Sequence, residues 1–140
     1  MINNHDSAYV FIVDGELQKA NAWSRIFIGA AIEVHGLKGP GLLEPIYHRC
    51  VRRECELRNI PTRYELSVPI EYKGFVFEEP LRLDVLIDDC LIVELKAVEK
   101  VLPIHKAQLL SYMRLLNKPL GLLINFHEIV LKNGIHRLIL

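Results

Sequence analysis

Apolar and polar residues alternate along this chain with two different periods, which predict two kinds of element. Apolar residues recur at helical spacing in three stretches, residues 22–35, 42–58 and 104–116. Strand-like patterns, alternating or wholly apolar, occupy five further stretches, residues 64–72, 75–77, 81–87, 91–98 and 120–126. This order predicts an α/β fold in which helices flank a mixed sheet.

Short local signals specify parts of this sheet more closely. Pro69 predicts that its strand lies at an edge, because proline cannot donate to a central ladder. The wholly apolar run 120–126 predicts a strand that is covered on both faces. Asn133-Gly134, between the apolar residues 129–131 and 135–140, predicts a final hairpin with a two-residue turn.

The first 20 residues are harder to interpret. Residues 8–13 fit either a strand or an arm that packs on a partner. The segment has no basic start, and its apolar stretch is too short for a signal peptide. We therefore predict an N-terminal arm or strand over residues 1–20, ahead of one domain over residues 21–140.

Composition narrows the class of protein. With 51% hydrophobic and 24% charged residues among 140, the chain resembles a folded soluble protein, and no apolar run approaches the roughly 20 residues of a membrane span. Cys50, Cys55 and Cys90 lack CxxC spacing and fit the reduced thiols of a cytoplasmic protein. HxxxH, GxSxG and phosphate-loop motifs are all missing from the sequence, which disfavours zinc hydrolases, serine hydrolases and nucleotide-binding folds.

The formal net charge is zero, so any binding of nucleic acid requires a local basic patch. Five arginines lie along and after the second predicted helix: Arg49, Arg52, Arg53, Arg58 and Arg63. They fit either a solvated helix face or a track for phosphates, and Arg52 and Arg53 are the candidates for phosphate contact.

The strands over residues 81–87 and 91–98 carry the residues with the clearest chemistry. If residues 88–90 form the loop, Asp84 lies opposite Glu94, with Cβ atoms about 5 Å apart. Glu94 and Lys96 are two residues apart and share one face of their strand. Asp84, Glu94 and Lys96 are therefore predicted to form one cluster.

Two carboxylates opposed across a ladder repel each other, which predicts a cation between them. Lys96 supplies one positive charge, and a divalent metal would supply two. Hard oxygen ligands suit Mg²⁺ or Mn²⁺, which would activate a water for attack on a phosphate. An ordinary ion-paired strand face fits the same residues, and this motif alone leaves both interpretations open.

The second and third predicted helices also carry polar residues that could join this cluster. His105, Gln108 and Tyr112 share one face of the third helix, which suits phosphate or base contacts and equally a half-exposed polar surface. Glu44 lies in the first turn of the second helix, where a carboxylate complements the helix dipole or serves as a third metal ligand.

The segment Gly41-Leu-Leu-Glu44-Pro-Ile-Tyr47 resembles the pattern of the GxxExxY proteins, which are placed in the PD-(D/E)xK nuclease superfamily. Five further segments agree with that family in order, at residues 28–35, 93–98, 102–105, 107–110 and 121–125. The resemblance covers about residues 25–140 and implies a restriction-endonuclease-like fold. Leu83 stands where the motif's name has proline.

The resemblance also implies roles for individual residues. Asp84, Glu94 and the carbonyl of Leu95 would bind metal, with Glu44 as a helix-borne ligand. Lys96 would be the catalytic lysine. The spacing of Gln108 and Tyr112 is similar to the Q-xxx-Y motif of RecB-like members, which implies that these two residues assist the site from the third helix.

Together these patterns predict a metal-dependent phosphodiesterase that acts on nucleic acid, with DNA as the expected substrate and Mg²⁺ or Mn²⁺ as cofactor. Contacts to nucleic acid are expected at Arg52, Arg53 and His105. The small size and neutral charge also fit a homodimer or a partner protein. The alternative is a non-catalytic module of the same fold that binds nucleic acid or another protein.

Overall fold

The computed structural model describes residues 4–140, with side chains from residue 15 onward, and contains three α-helices and five strands. The helices are α1 (Asn4–Lys38), α2 (Glu44–Leu57) and α3 (Pro103–Leu116). The strands are β1 (Thr62–Tyr72), β2 (Phe75–Ile87), β3 (Leu91–Lys96), β4 (Leu120–Asn125) and β5 (Ile135–Ile139). One 3₁₀ turn, Leu131–Gly134, precedes β5.

The strands form a single sheet in the order β1-β2-β3-β4-β5. Neighbours are antiparallel except β3 and β4, which are parallel and joined through α3. The predicted α/β class with a mixed sheet is confirmed. So is the edge position of the strand that contains Pro69, because β1 is the first strand of the sheet.

Helices cover both faces of the sheet. On one face, α1 and α2 pack on β3 and β4 through side chains such as Phe27 and Tyr47. On the other face, α3 packs through Leu109 and Met113. All six residues of β4 are buried. Leu120, Leu122 and Ile124 belong to the cluster on the α1 and α2 side and Leu123 to the cluster on the α3 side, so the predicted strand that is covered on both faces is confirmed.

The predicted hairpin around Asn133-Gly134 is wrong. Residues 129 and 130 form no strand, residues 131–134 form the 3₁₀ turn, and β5 pairs with β4 instead. Gly134 lacks the positive φ that a type I′ turn needs. Its lack of a side chain serves packing, because a Cβ there would collide with the backbone carbonyl oxygen of Asn125.

Two further boundaries differ from the prediction. Helix α1 begins at Asn4, well before residue 22, so the strand interpretation of residues 8–13 is wrong; their backbone is helical. The division between residues 1–20 and 21–140 stays a prediction.

The strands predicted over residues 75–77 and 81–87 form one continuous strand, β2, which runs through Pro80. At Pro80 only β1 pairs with β2, so the missing N–H of proline does not interrupt a pairing in the centre of the sheet. In residues 4–140, helices with the length and apolarity of a membrane span are absent.

Candidate active site

A bulge in β2 shapes the region where β2 meets the end of β3. Pairing between these strands runs from Ile87↔Leu91 to Val85↔Val93, the register predicted for the hairpin. On the other side of β2 the register with β1 shifts, so that residues 83–85 lie opposite Tyr64 alone. Leu83 then packs on the α3 side while Val85 packs on the α1 and α2 side. The bulge therefore interrupts the alternation of side chains at Asp84.

The side chain of Asp84 replaces a backbone acceptor of β2, whose pairing with β3 ends at Val85 and Val93. The N–H of Leu95 donates to Oδ2 of Asp84 over 2.8 Å. The next carbonyl, that of Lys96, accepts from the N–H of Phe126 over 2.8 Å on the β4 side. Because the N–H and C=O of one strand residue point to the same side, the carbonyl of Leu95 points toward the side of Asp84.

Helix α2 brings two more polar side chains to this point. Nε2 of His48 lies 3.7 Å from Oε2 of Glu44 and 3.7 Å from Oδ2 of Asp84. This nitrogen is buried and makes no hydrogen bond with the described residues. His48 was not among the predicted site residues. Its position four residues after Glu44, on the same helix face, was the available signal.

Glu94 and Lys96 complete the cluster from β3. The side chain of Glu94 is 14% exposed, and Nζ of Lys96 lies 4.0 Å from its Oε2. Burial first, and then the negative charge of Asp84, raises the pKa of Glu94 to about 7. Lys96 opposes this rise and Glu44 adds to it. Negative charge at this site thus exceeds what one lysine balances.

The loops around the cluster are held by buried polar side chains. The hydroxyl of Tyr47 donates to the carbonyl of Gly39 over 2.6 Å and accepts from the N–H of Leu42 over 3.1 Å, while its ring stacks on Phe126. These bonds fix the loop that delivers Glu44 to the start of α2. The helical spacing of apolar residues predicts Tyr47 as part of the buried face of α2, but it does not predict the two hydrogen bonds of its hydroxyl.

After β3, the side chain of Asn125 fixes the chain that leaves Lys96. Asn125 is 1% exposed, its Nδ2 donates to the carbonyl of Val98, and its Oδ1 accepts from the N–H of Val98. Lys96 pairs with Asn125 in the parallel register of β3 and β4. Hydrogen bonds therefore fix the backbone before Lys96, at Leu95, and after it, at Val98.

The arginines of α2 separate into two positions. Arg52 lies over the ring of Tyr64, with its guanidinium carbon 3.7 Å from the ring centre. Together with Glu44, Pro45, His48 and Arg49 it lines a surface cavity of about 300 Å³. Arg53 lies outside that cavity, and its Nη1 is 3.3 Å from Oε2 of Glu56. The structure brings Arg52 to the cluster and leaves Arg53 away from it.

The three residues expected on α3 are less directly engaged. Nδ1 of His105 accepts from the N–H of Leu102 over 3.0 Å, so this histidine caps α3. Gln108 is exposed, and Tyr112 is half-buried against the apolar cluster on the α3 side. Within residues 15–140 no hydrogen bond joins these side chains to Asp84, Glu94 or Lys96.

Comparison with known proteins adds one match. The family model of the PD-(D/E)XK nuclease superfamily matches residues 21–138, a range that includes all the helices and strands except the first part of α1 and the last residue of β5. No curated protein and no solved structure matches the chain significantly.

Proposed function

The chain belongs to the PD-(D/E)XK nuclease superfamily, and from that premise we propose that it is a metal-dependent phosphodiesterase that cleaves DNA. Members of this superfamily are usually nucleases and generally use divalent metal ions. The observation that carries the proposal is the convergence of Glu44, Asp84 and Glu94 beside Lys96, at the bulge of β2.

The residues present fit a divalent cation. Carboxylate oxygens are the ligands that Mg²⁺ and Mn²⁺ prefer. The raised pKa of Glu94, which comes first from burial and then from the negative charge of Asp84, means that a cation beside these carboxylates would stabilise the ionised form of Glu94. In the described part of the chain, no three acidic, histidine or cysteine side chains are placed to hold a metal ion by themselves. Mg²⁺ does not require three such ligands, since it keeps several waters and takes one or two carboxylates plus substrate phosphate oxygens.

We assign the metal to Asp84, Glu94, Glu44 and the carbonyl of Leu95, with Mg²⁺ or Mn²⁺ as the ion. When bound, such an ion lowers the pKa of a coordinated water and neutralises charge on the phosphate. Nε2 of His48, buried between Glu44 and Asp84, is an unpaired polar atom that a proton or a cation at this point would satisfy.

The surrounding side chains position the reacting groups. The hydrogen bond from Leu95 fixes the carboxylate of Asp84 before substrate binds. Lys96, which is 20% exposed beside Glu94, holds a water or a phosphate oxygen through its ammonium group. Arg52 is held by Tyr64 at the cavity wall, where its guanidinium contacts a neighbouring phosphate.

The residues of α3 have a smaller part in the proposal. Gln108 is exposed and free to reach bound DNA, and Tyr112 supports it from the half-buried side of the same helix. His105 contributes through its second ring nitrogen, since Nδ1 is used in capping. Cys50, Cys55 and Cys90 are free thiols, which supports a reducing compartment, and the proposal places the protein in the cytoplasm.

A cleavage assay with matched lysine variants tests this function. Purified protein is incubated with labelled DNA and RNA in Mg²⁺, Mn²⁺ or EDTA. We expect metal-dependent cleavage of DNA that Lys96→Ala abolishes, while Lys100→Ala, which removes an exposed lysine nearby, leaves it unchanged. Calorimetric binding of Mn²⁺ is expected to survive in Lys96→Ala, because lysine is not a ligand. Full activity in Lys96→Ala, or cleavage in EDTA, would contradict the proposal.

A further inference from the structure

A polar cavity of about 320 Å³ lies between α1 and the edge strand β5. Its lining consists of Asn21, Ser24 and Arg25 from α1 and Arg137 from β5. The cavity at the candidate active site is lined by residues of α2, and the two cavities share no lining residue. They are therefore separate places on the surface of the protein.

The spacing of residues along α1 and β5 brings these side chains together. Asn21, Ser24 and Arg25 are three and four residues apart, so they occupy one face of α1. On β5, Ile135 packs on the α1 and α2 side of the sheet, and Arg137, two residues later, points to the same side. Nη2 of Arg137 donates to Oδ1 of Asn21, so this hydrogen bond holds the guanidinium group against the helix.

The cavity is positively charged and has no acidic residue in its lining. Ser24 is 6% exposed, and its hydroxyl donates back to the carbonyl of Asn21 over 2.7 Å. Since Oδ1 of Asn21 accepts from Arg137, its Nδ2 is left as a further donor. Among the side chains of residues 15–140, neither Arg25 nor Arg137 forms an ion pair with a carboxylate. Two positive charges therefore line one cavity without a counter-charge from these side chains.

These donors fit a phosphate group better than a carboxylate. A guanidinium group is a planar fork that binds two oxygens of one anion. One fork already uses both oxygens of a carboxylate, whereas two forks can share the oxygens of a phosphate group. The volume of about 320 Å³ lies at the lower end of the range for small-molecule sites, about 300–1,000 Å³, so there is room for a phosphate group that belongs to a larger molecule.

We propose that Arg25 and Arg137 bind a phosphate group, with Nδ2 of Asn21 as a third donor. The bound anion would also offset the repulsion between the two guanidinium groups. Nucleic acid and small phosphorylated molecules both carry such a group, and the same donors recognise it in either. The site is independent of the proposed cleavage reaction, because neither arginine lines the active-site cavity.

An NMR titration of isotope-labelled protein with inorganic phosphate tests the site directly. Backbone signals of Ser24, Arg25 and Arg137 are expected to shift and to saturate with a dissociation constant of about 1 mM or below, because two charge-assisted contacts act together. Additions of NaCl to the same ionic strength are the control and are expected to leave these signals nearly unchanged. Signals that do not saturate, or that shift equally at other basic residues such as Arg114, overturn the proposal.

Arginine variants separate this site from a general attraction of phosphate to basic side chains. Arg25→Ala is expected to weaken phosphate binding at least about 10-fold, because a charged hydrogen-bond partner is lost. Arg137→Lys keeps the charge without the fork and is also expected to weaken binding. Arg114→Ala removes an exposed arginine of α3 and is the matched control, with the affinity of wild type. Arg25 is exposed, so Arg25→Ala is expected to melt at the wild-type temperature. Wild-type affinity in Arg25→Ala or in Arg137→Lys overturns the proposal.

Two further ligands identify the molecule that carries the phosphate group. A single-stranded DNA oligonucleotide, kept intact by EDTA, and a nucleoside monophosphate are each titrated into wild type and Arg25→Ala. Weaker binding of the oligonucleotide by the variant assigns the site to a phosphate of nucleic acid. Weaker binding of the nucleoside monophosphate alone assigns it to a small phosphorylated molecule, and both results support the site. Equal affinities of wild type and Arg25→Ala for both ligands overturn the proposal.

Discussion

The stability of Glu94 variants tests most directly whether Asp84, Glu94 and Lys96 form a cation-binding site or an ordinary ion pair. Its pKa is raised in the folded protein to about 7 from an ordinary 4.5, mainly by burial and then by Asp84. In the unfolded chain the carboxyl returns to its ordinary pKa. Between these two values the folded state holds a proton that the unfolded state has lost, so the free energy of unfolding falls as pH rises.

The size of this effect follows from the two pKa values. A rise from 4.5 to about 7 corresponds to about 3 kcal/mol of stability, present in full below pH 4.5 and lost as the pH passes 7. Glu94→Gln has the shape of the protonated side chain and never becomes charged. We therefore expect the variant to be more stable than wild type by up to about 3 kcal/mol at pH 8, and equal to it near pH 4.

Urea denaturation in EDTA at pH 4, 6 and 8 measures this difference. Glu99→Gln removes an exposed carboxylate just beyond β3, and we expect its stability to stay within about 0.5 kcal/mol of wild type at every pH. Added Mn²⁺ should stabilise wild type at pH 8 and have a smaller effect on Glu94→Gln, because binding to the folded state alone raises stability. If Glu94→Gln is the less stable protein at pH 8, Glu94 is the stabilised partner of Lys96, and the reasoning is refuted.

Three further outcomes follow from other contacts. Arg52→Ala should weaken DNA binding in gel-shift titrations and lower the slope of log affinity against log salt by about one, while Arg53→Ala, which lies outside the site cavity, leaves the slope unchanged. Tyr47→Phe should cost about 1–3 kcal/mol in urea denaturation, because the half-buried carbonyl of Gly39 and N–H of Leu42 lose their hydroxyl partner; an unchanged midpoint would contradict this role. Gly134→Ala should cost about 1–3 kcal/mol through overpacking, whereas Gly36→Ala, with open space in α1, should be neutral or stabilising.

The spacing of apolar residues predicted those helices and strands whose burial follows one pattern from end to end. Strand β4 is apolar at every buried position but its last, and α3 follows helical spacing, so both were predicted within one or two residues. The pairing of β4 with β5 was not predicted, because a local Asn-Gly signal favoured a hairpin. In the structure Gly134 instead lies against the backbone of Asn125 at the end of β4, a contact that no local pattern reveals.

The same limit applies to the site. Asp84, Glu94 and Lys96 follow from spacing on adjacent strands, because the hairpin register is fixed by its short loop. The nearness of His48 to Asp84 depends on the bulge of β2, and the bulge is a shift in the register of β2 with β1, the edge strand, which the alternation of side chains in β2 does not reveal. Likewise, Arg52 and Arg53 are adjacent in sequence but about 100° apart around α2. Only the packing of α2 on the sheet decides which one faces the cavity.

The bulge also explains why polar groups are tolerated in a half-buried place. A regular ladder would have paired β2 with the end of β3 through backbone groups alone. Where β2 turns away, the N–H of Leu95 needs an acceptor, and the carboxylate of Asp84 supplies it over 2.8 Å. That bond fixes one carboxylate. The raised pKa of Glu94, due first to burial and then to Asp84, shows the cost of placing a second carboxylate in this half-buried place. A sequence selected for stability alone would replace Glu94 with a neutral side chain. The cation that the site is proposed to bind would offset this cost, because it neutralises the charge of Glu94 beside Asp84 and Glu44.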